Sequence, residues 1–500
     1  MEYSSTRNKG LSVSAATAIK TGLAPDGGLF IPKELPYVSL EDIEALSRLT
    51  YAERAEWILG KFLTDFTQEE ISDCAQSAYN KAKFETDEIA PIYKLTGEEY
   101  FLELWHGPTC AFKDMALQIL PHLLKKSVVK TGETKEVVIL VATSGDTGKA
   151  ALEGFKDVDG TRIIVFYPEN GVSDIQKRQM ITQEGNNVDV AAVCGNFDDA
   201  QNGVKLIFGD REYAEVLERN GFMLSSANSI NWGRLVPQIV YYFSAYCNLL
   251  KNDEIKLGDA VNFVVPTGNF GNILAAYYAM EMGLPVHRLI CASNENNVLT
   301  DFIKTGVYDK NREFKTTCSP SMDILISSNL ERLLYQVTGG DDVRVADWMK
   351  QLKETSAYEV PDVTKARIKE VFYGGFCDDV KTLETISKVY EAHGYVMDTH
   401  TAVAKCVYDE YKAETGDTTK TVIVSTASPF KFGDKVLTAI AGEQAAEGLD
   451  DFALLDMLAE KGNLTIPASL AALKAKPVIF TTSCEKTEMY DVVSHMLNLS

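Results

Sequence analysis

The sequence predicts an α/β protein built on parallel sheets, and three observations carry that prediction. Short β-branched runs recur at residues 137–142, 162–166, 261–265, 287–292 and 421–425. Several end in small polar or proline-bearing turns, such as Thr143-Ser144-Gly145, Pro168 and Pro266-Thr267-Gly268. Helix-period patterns then follow, from about residue 148 and over 273–282. Strands alternating with helices are the mark of a parallel sheet covered by its own crossovers.

In chain order, residues 1–95 carry the turn Pro25-Asp26-Gly27-Gly28 and then helices rich in Glu and Ala. Residues 96–225 form a first α/β unit, in which 115–125 reads as a helix. Residues 226–310 and 400–480 form a second unit, interrupted by a charged helical insertion at 311–399; residues 481–500 are a C-terminal tail.

The 500 residues supply enough apolar surface for several cores. A balance of 49 basic against 71 acidic residues gives a net charge of −22. That disfavours a nucleic-acid or anionic-membrane surface, although a local pocket can still oppose the global field. Nine scattered cysteines without a Cys-x-x-Cys pair indicate reduced thiols. The start, Met1 to Arg7, has no basic-then-apolar leader pattern. The uncharged run 260–280 is interrupted by Asn262, Pro266, Gly268, Asn269, Gly271 and Asn272, which argues against a membrane span. A cytoplasmic location is expected. The six histidines show no His-x-x-x-His spacing and there is no Gly-x-Ser-x-Gly elbow, so neither a metal centre nor a serine hydrolase is indicated.

Four polar segments are candidates for chemistry. In His106-Gly107-Pro108-Thr109-Cys110-Ala111-Phe112-Lys113-Asp114, a lysine follows a Gly-Pro turn next to apolar residues. Such a lysine can lose its proton and act as nucleophile or base; taken alone, it reads first as a surface lysine. Pro266-Thr267-Gly268-Asn269-Phe270-Gly271-Asn272 joins a strand to a helix, the specification of a phosphate cradle or simply of a tight turn. Thr143 to Lys149 superficially resembles a nucleotide P-loop through Gly148-Lys149, but lacks its first glycine and the following Ser or Thr. It can instead cup a carboxylate. Ser225 to Arg234 and Ser425 to Phe432 offer hydrogen-bonding side chains, with an N-capped loop and a strand terminus as the plain alternatives.

Together, and in this order, the segments resemble threonine synthases, which are pyridoxal 5′-phosphate enzymes of the tryptophan-synthase-β (fold type II) group. Further matches are Tyr3-Ser4-Ser5-Thr6-Arg7, Gly27-Gly28-Leu29-Phe30, residues 319–324, and Asp398-Thr399-His400-Thr401. The resemblance covers nearly the whole chain and is to the long fungal and enteric-bacterial branch. It implies two open twisted-sheet domains with a cofactor cleft between them, an N-terminal domain and the helical insertion. It also implies Lys113 as the Schiff-base lysine, with Gly268, Asn269, Phe270, Gly271 and Asn272 on the cofactor phosphate and Thr426 at the pyridine nitrogen. The implied reaction turns O-phospho-L-homoserine and water into L-threonine and phosphate by γ-elimination and β-addition, as the last step of threonine biosynthesis. Ser144, Asp146 and Thr147 are expected around the substrate, the first and last at its carboxylate. Asn231, Arg234 and Lys431 are expected at its phosphate. Asn8 stands where the family pattern has Gly, and Asp146 where sister enzymes often have Asn. A threonine or serine dehydratase of the same fold is the alternative. Monomer and dimer are both open.

Overall fold

Two parallel sheets organise the chain, and every candidate site residue follows the carboxyl end of one of their strands or opens the next helix. The computed structural model describes residues 1–143, 145–169 and 172–499. The larger sheet has six strands in the order Phe372–Phe376, Val286–Ser293, Val261–Pro266, Thr421–Ser425, Glu99–Glu103 and Ile92–Lys94. All neighbours are parallel except the last pair. The smaller sheet has five parallel strands in the order Thr482–Glu485, Val188–Cys194, Thr161–Pro168, Glu136–Ala142 and Phe222–Ser225. The central strands of both sheets are buried on both faces, which is why they read as unbroken apolar runs rather than alternating ones.

The expected division of the chain needs three corrections. Strand Glu99–Glu103, assigned with the first unit at 96–225, pairs with Thr421–Ser425 in the larger sheet, Ile423 opposite Phe101. After the N-terminal sheet the chain therefore enters the larger sheet, crosses to build four strands of the smaller one, returns, and ends on the smaller sheet's edge. The insertion at 311–399 is not wholly helical. Its Phe372–Phe376 strand is the edge of the larger sheet, with Leu289 opposite Phe372, and its two glycines hide it from a search for β-branched runs. The tail at 481–500 supplies the edge strand Thr482–Glu485 of the smaller sheet and the helix Met489–Met496.

The expected single helix over 115–125 is two, Asp114–Leu117 and Leu120–Lys130. Pro121 explains the break, since it has no N–H to give and its ring clashes with the carbonyl four residues back. Residues 260–280 are the strand Val261–Pro266, a loop and the helix Gly271–Glu281. Among the described residues no helix is long and apolar enough to cross a membrane.

The helix Trp232–Lys251 is the hub. It is buried from Trp232 to Leu249, as an all-round apolar helix must be. It packs on helices Tyr51–Phe62, Asp114–Leu117 and Gly271–Glu281, so it touches both the lysine turn and the Gly-Asn loop. The N-terminal antiparallel sheet, of strands Asn8–Val13, Tyr3–Ser5 and Phe30–Pro32, lies against its start, where the Tyr3 ring is 5.4 Å from that of Trp232.

Candidate active site

The lysine turn is fixed by its own aspartate. Asp114 is buried and accepts from the Thr109 amide and the Thr109 hydroxyl, each at 2.8 Å. Gly107 is needed there, because a Cβ on it would stand 2.6 Å from Asp114 Oδ2. Two backbone bonds then clamp the turn to the end of strand Thr421–Ser425: Phe112 N–H donates to Thr426 O at 2.8 Å, and Ser428 N–H to Cys110 O at 3.0 Å. Lys113 is thereby held beside Thr426, whose hydroxyl has no hydrogen-bond partner among the described residues. The Lys113 amine has no hydrogen-bond or ion-pair partner among them either. Burial, aided by the Arg234 and Lys431 cations and opposed by Asp146, pushes the amine down to about 8. Burial likewise pushes the Asp114 carboxyl up to about 7.

The Pro266–Asn272 segment presents an array of free amides. Thr267 N–H donates to Ala292 O at 2.9 Å, but the amides of residues 268–273 find no acceptor among the described residues. Those of 271–273 belong to the first turn of a helix, where they have no intrahelical partner. Phe270 takes a left-handed conformation, φ 63°, which turns the chain into that helix. Gly268 lies under the insertion, where a Cβ would be 3.0 Å from Ser321 O. Ser327 Oγ and Asn329 N–H hold the loop's carbonyls, at Gly268 O and Asn269 O. Asn272 accepts at Oδ1 from the Tyr241 and Tyr242 hydroxyls, while its buried Nδ2 has no partner. Free amides, an orphaned buried donor and a helix N-terminus fit a phosphate group.

In the Thr143–Lys149 turn, Thr143 Oγ1 accepts from the amides of Gly145 and Gly148. Ser144 lies outside the described residues. Thr147 is half-buried on the first turn of helix Asp146–Phe155. Asp146 is buried in the same first turn. It forms a buried ion pair with Lys431 at 2.9 Å and accepts from Gln176 Nε2 at 3.0 Å. Burial opposes its ionisation, but the Lys431 and Lys113 cations hold the carboxyl well below its usual range. Lys431 also donates to Gln179 Oε1 and Thr109 O. It is engaged inside the protein by these three groups. Lys149 pairs with Glu153 and Gln183, away from the turn's mouth, so nothing of the P-loop resemblance survives.

Asn231 is likewise occupied. Its Oδ1 caps helix Trp232–Lys251 through Gly233 N–H, and its Nδ2 donates to Ile19 O and Ser226 O. These bonds shape the loop ahead of the hub helix. Arg234 differs. It is buried, its Nη1 donates to Ala227 O at 2.8 Å, and its Nε has no partner. Among the described residues no carboxylate pairs with it. Burial lowers the guanidinium to about 10, so it stays charged near neutrality. Its field reaches Lys113.

Sequence reasoning missed the residues that hold these groups in place. Gln176 and Gln179 lie on the helix Asp174–Ile181, whose Ser173-x-x-Gln176 capping box was visible. Gln238, Tyr241 and Tyr242 share one face of the hub helix with Arg234, at helical spacing. Their polar atoms look like ordinary core tyrosines and glutamines until the loop is seen opposite.

A lysine with a depressed amine, a separate phosphate-type cradle and an uncompensated arginine at the carboxyl ends of two parallel sheets define a pyridoxal-phosphate dependent enzyme of fold type II. The family model described as "Pyridoxal-phosphate dependent enzyme" matches residues 88–361. It is flanked by matches to "Threonine synthase N terminus" at 2–79 and "Threonine synthase, C-terminal" at 401–488. The chain belongs to the threonine synthase family. It is 39% identical to the threonine synthase of Pseudomonas aeruginosa, with 89% of this chain and 92% of that one covered. A threonine synthase from Brucella melitensis solved with PLP bound superposes with a TM-score of 0.87 at 36% identity over 99% of each chain. Threonine synthase-like 1 of Macaca fascicularis is 42% identical over 85% of this chain, but the match spans only 57% of that longer protein.

Proposed function

We propose that this protein is a threonine synthase that binds pyridoxal phosphate on Lys113 and converts O-phospho-L-homoserine and water to L-threonine and phosphate. The observation that carries the substrate reading is Arg234, a buried cation with no acidic partner among the described residues, whose field reaches the reacting amine. A buried charge of this kind is costly unless a ligand completes it. The cofactor's phosphate has its own cradle at residues 268–272, so Arg234 is left for a second anion, the γ-phosphate of the substrate. A dehydratase substrate brings no such group.

When bound, the cofactor supplies the electron sink for negative charge developing at the substrate's α carbon. The chain's residues do the rest. Lys113, neutral in a large fraction of molecules near pH 8, is the base that takes the Cα proton and later returns it. Thr426 offers a hydroxyl, not a carboxylate, at the ring nitrogen, which favours elimination over transamination. The hydroxyl of Thr147, with Ser144, receives the substrate carboxylate. Arg234 orients the leaving phosphate through charge-assisted hydrogen bonds.

The test is phosphate release from O-phosphohomoserine by the wild type and Arg234→Ala. Loss of one such interaction, about 1.5–3 kcal/mol, predicts a fall in kcat/KM of roughly ten- to a hundredfold, with cofactor content unchanged. Unchanged kinetics would remove Arg234 from the substrate site. Turnover of serine or threonine in place of phosphohomoserine would favour the dehydratase.

A further inference from the structure

We propose that Lys431 is a positioning residue for Lys113: held 2.9 Å from Asp146 inside the protein, its ammonium engages a carboxylate that would otherwise pair with the reacting amine. The inference rests on Lys113 being the cofactor lysine and deepens that reading. Three charged groups act on the Lys113 amine, namely Asp146 from the helix Asp146–Phe155, Arg234 from the hub helix, and Lys431 from the 3-10 turn Pro429–Phe432. Asp146 alone among them attracts a proton to the amine.

The geometry shows how Asp146 is kept from doing so. Neither partner of the pair reaches solvent, with side-chain exposures of 0% for Lys431 and 3% for Asp146. Each end is also clamped by a glutamine from one helix, Gln176 on Asp146 and Gln179 on Lys431. Lys431 further donates to the carbonyl of Thr109, the residue whose amide and hydroxyl fix Asp114. The pair is therefore built into the same turn that presents Lys113. Two opposite charges fixed side by side have nearly cancelling fields at a third point. Either charge alone in a dry site would not cancel.

The proposal predicts shifts of opposite sign. Lys431→Met leaves Asp146 free to pair with Lys113, so the amine holds its proton to higher pH. Asp146→Asn leaves the Lys431 cation uncompensated, so the amine loses its proton at lower pH. Asp146→Asn with Lys431→Met removes both charges and returns the amine towards its starting value. The readout is the rate at which pyridoxal phosphate adds to the cofactor-free enzyme, followed by absorbance against pH, since only the neutral amine attacks. The midpoint should rise by about one pH unit in K431M, fall in D146N, and lie close to wild type in the double variant. Should K431M not fold, D146N and the double variant carry the same comparison. Shifts of one sign in both single variants, no shift, or a double variant displaced as far as either single one would overturn the proposal. Borohydride trapping and peptide mapping test the parent reading separately: a pyridoxyl label on a residue other than Lys113 would sink that reading, whatever the midpoints do.

Discussion

At the scale of single residues, the site works by denying some charges a partner and giving others too many. Lys113 and Arg234 are left without carboxylates, whereas Asp146, Lys431 and Asn231 are fully engaged. His106, seven residues before Lys113, is a further case. Burial opposes its protonation, but Glu103 at 2.8 Å and Glu85 at 3.8 Å win and raise its imidazole from 6.5 to about 9. Because the folded value lies above the unfolded one, its stabilisation is fully present below about pH 6.5 and is lost as pH rises through about 9. His106→Gln is expected to flatten the fall in melting temperature over that range, which a series of thermal melts against pH will show. The sequence singled out Lys113 and Arg234 by their turns, and the structure buries both without a carboxylate partner among the described residues. What engages Asn231 and Lys431 was not legible, because their partners, Ile19 and Asp146, come from segments hundreds of positions away. An asparagine offers the same donors to a backbone carbonyl as to a phosphate.

At the scale of elements, strand-to-helix turns hold the candidate site residues and the hub helix packs against two of the helices they open. The strands at 136–142, 161–168, 261–266, 286–293 and 421–425 fall within two residues of the sequence reading, because buried parallel strands are apolar without interruption. The strand at 372–376 and the edge strand at 482–485 were invisible, being short and poor in β-branched residues. Along the hub helix, Arg234, Gln238, Tyr241 and Tyr242 form a stripe. Its lower half fixes Asn272 through two tyrosine hydroxyls, and its upper end offers the guanidinium. Replacing both tyrosines with phenylalanine leaves the rings but frees the Asn272 amide to rotate. At about 1 kcal/mol for each lost bond, the variant's cofactor Kd should rise roughly ten- to thirtyfold, measured by fluorescence titration of the cofactor-free enzyme.

At the scale of the whole molecule, a protein of net charge −22 buries Arg234 with no carboxylate partner among the described residues, and the proposed function sets an anionic substrate against it. The N-terminal segment closes the structure behind that place. Thr6 donates to Glu331, and Arg7 grips the same carboxylate with two bonds of 2.8 Å. Arg332 beside it donates to Phe30 O, Ile230 O and Asn329 Oδ1. Because Asn329 in turn holds the Gly-Asn loop through Asn269 O, the N-terminal segment and that loop share a support. Arg7→Met leaves Glu331 buried and half-satisfied, and should cost about 1–3 kcal/mol, seen as an earlier first transition in calorimetry. The clamp of Phe112 on Thr426 and of Ser428 on Cys110 reaches further still. It joins parts of the chain that leave the ribosome more than three hundred residues apart. A nascent chain emerging in order has Lys113 long before it has the strand end that clamps its turn. On the proposed function, cofactor loading at Lys113 would then wait for residues 421–428 to be made.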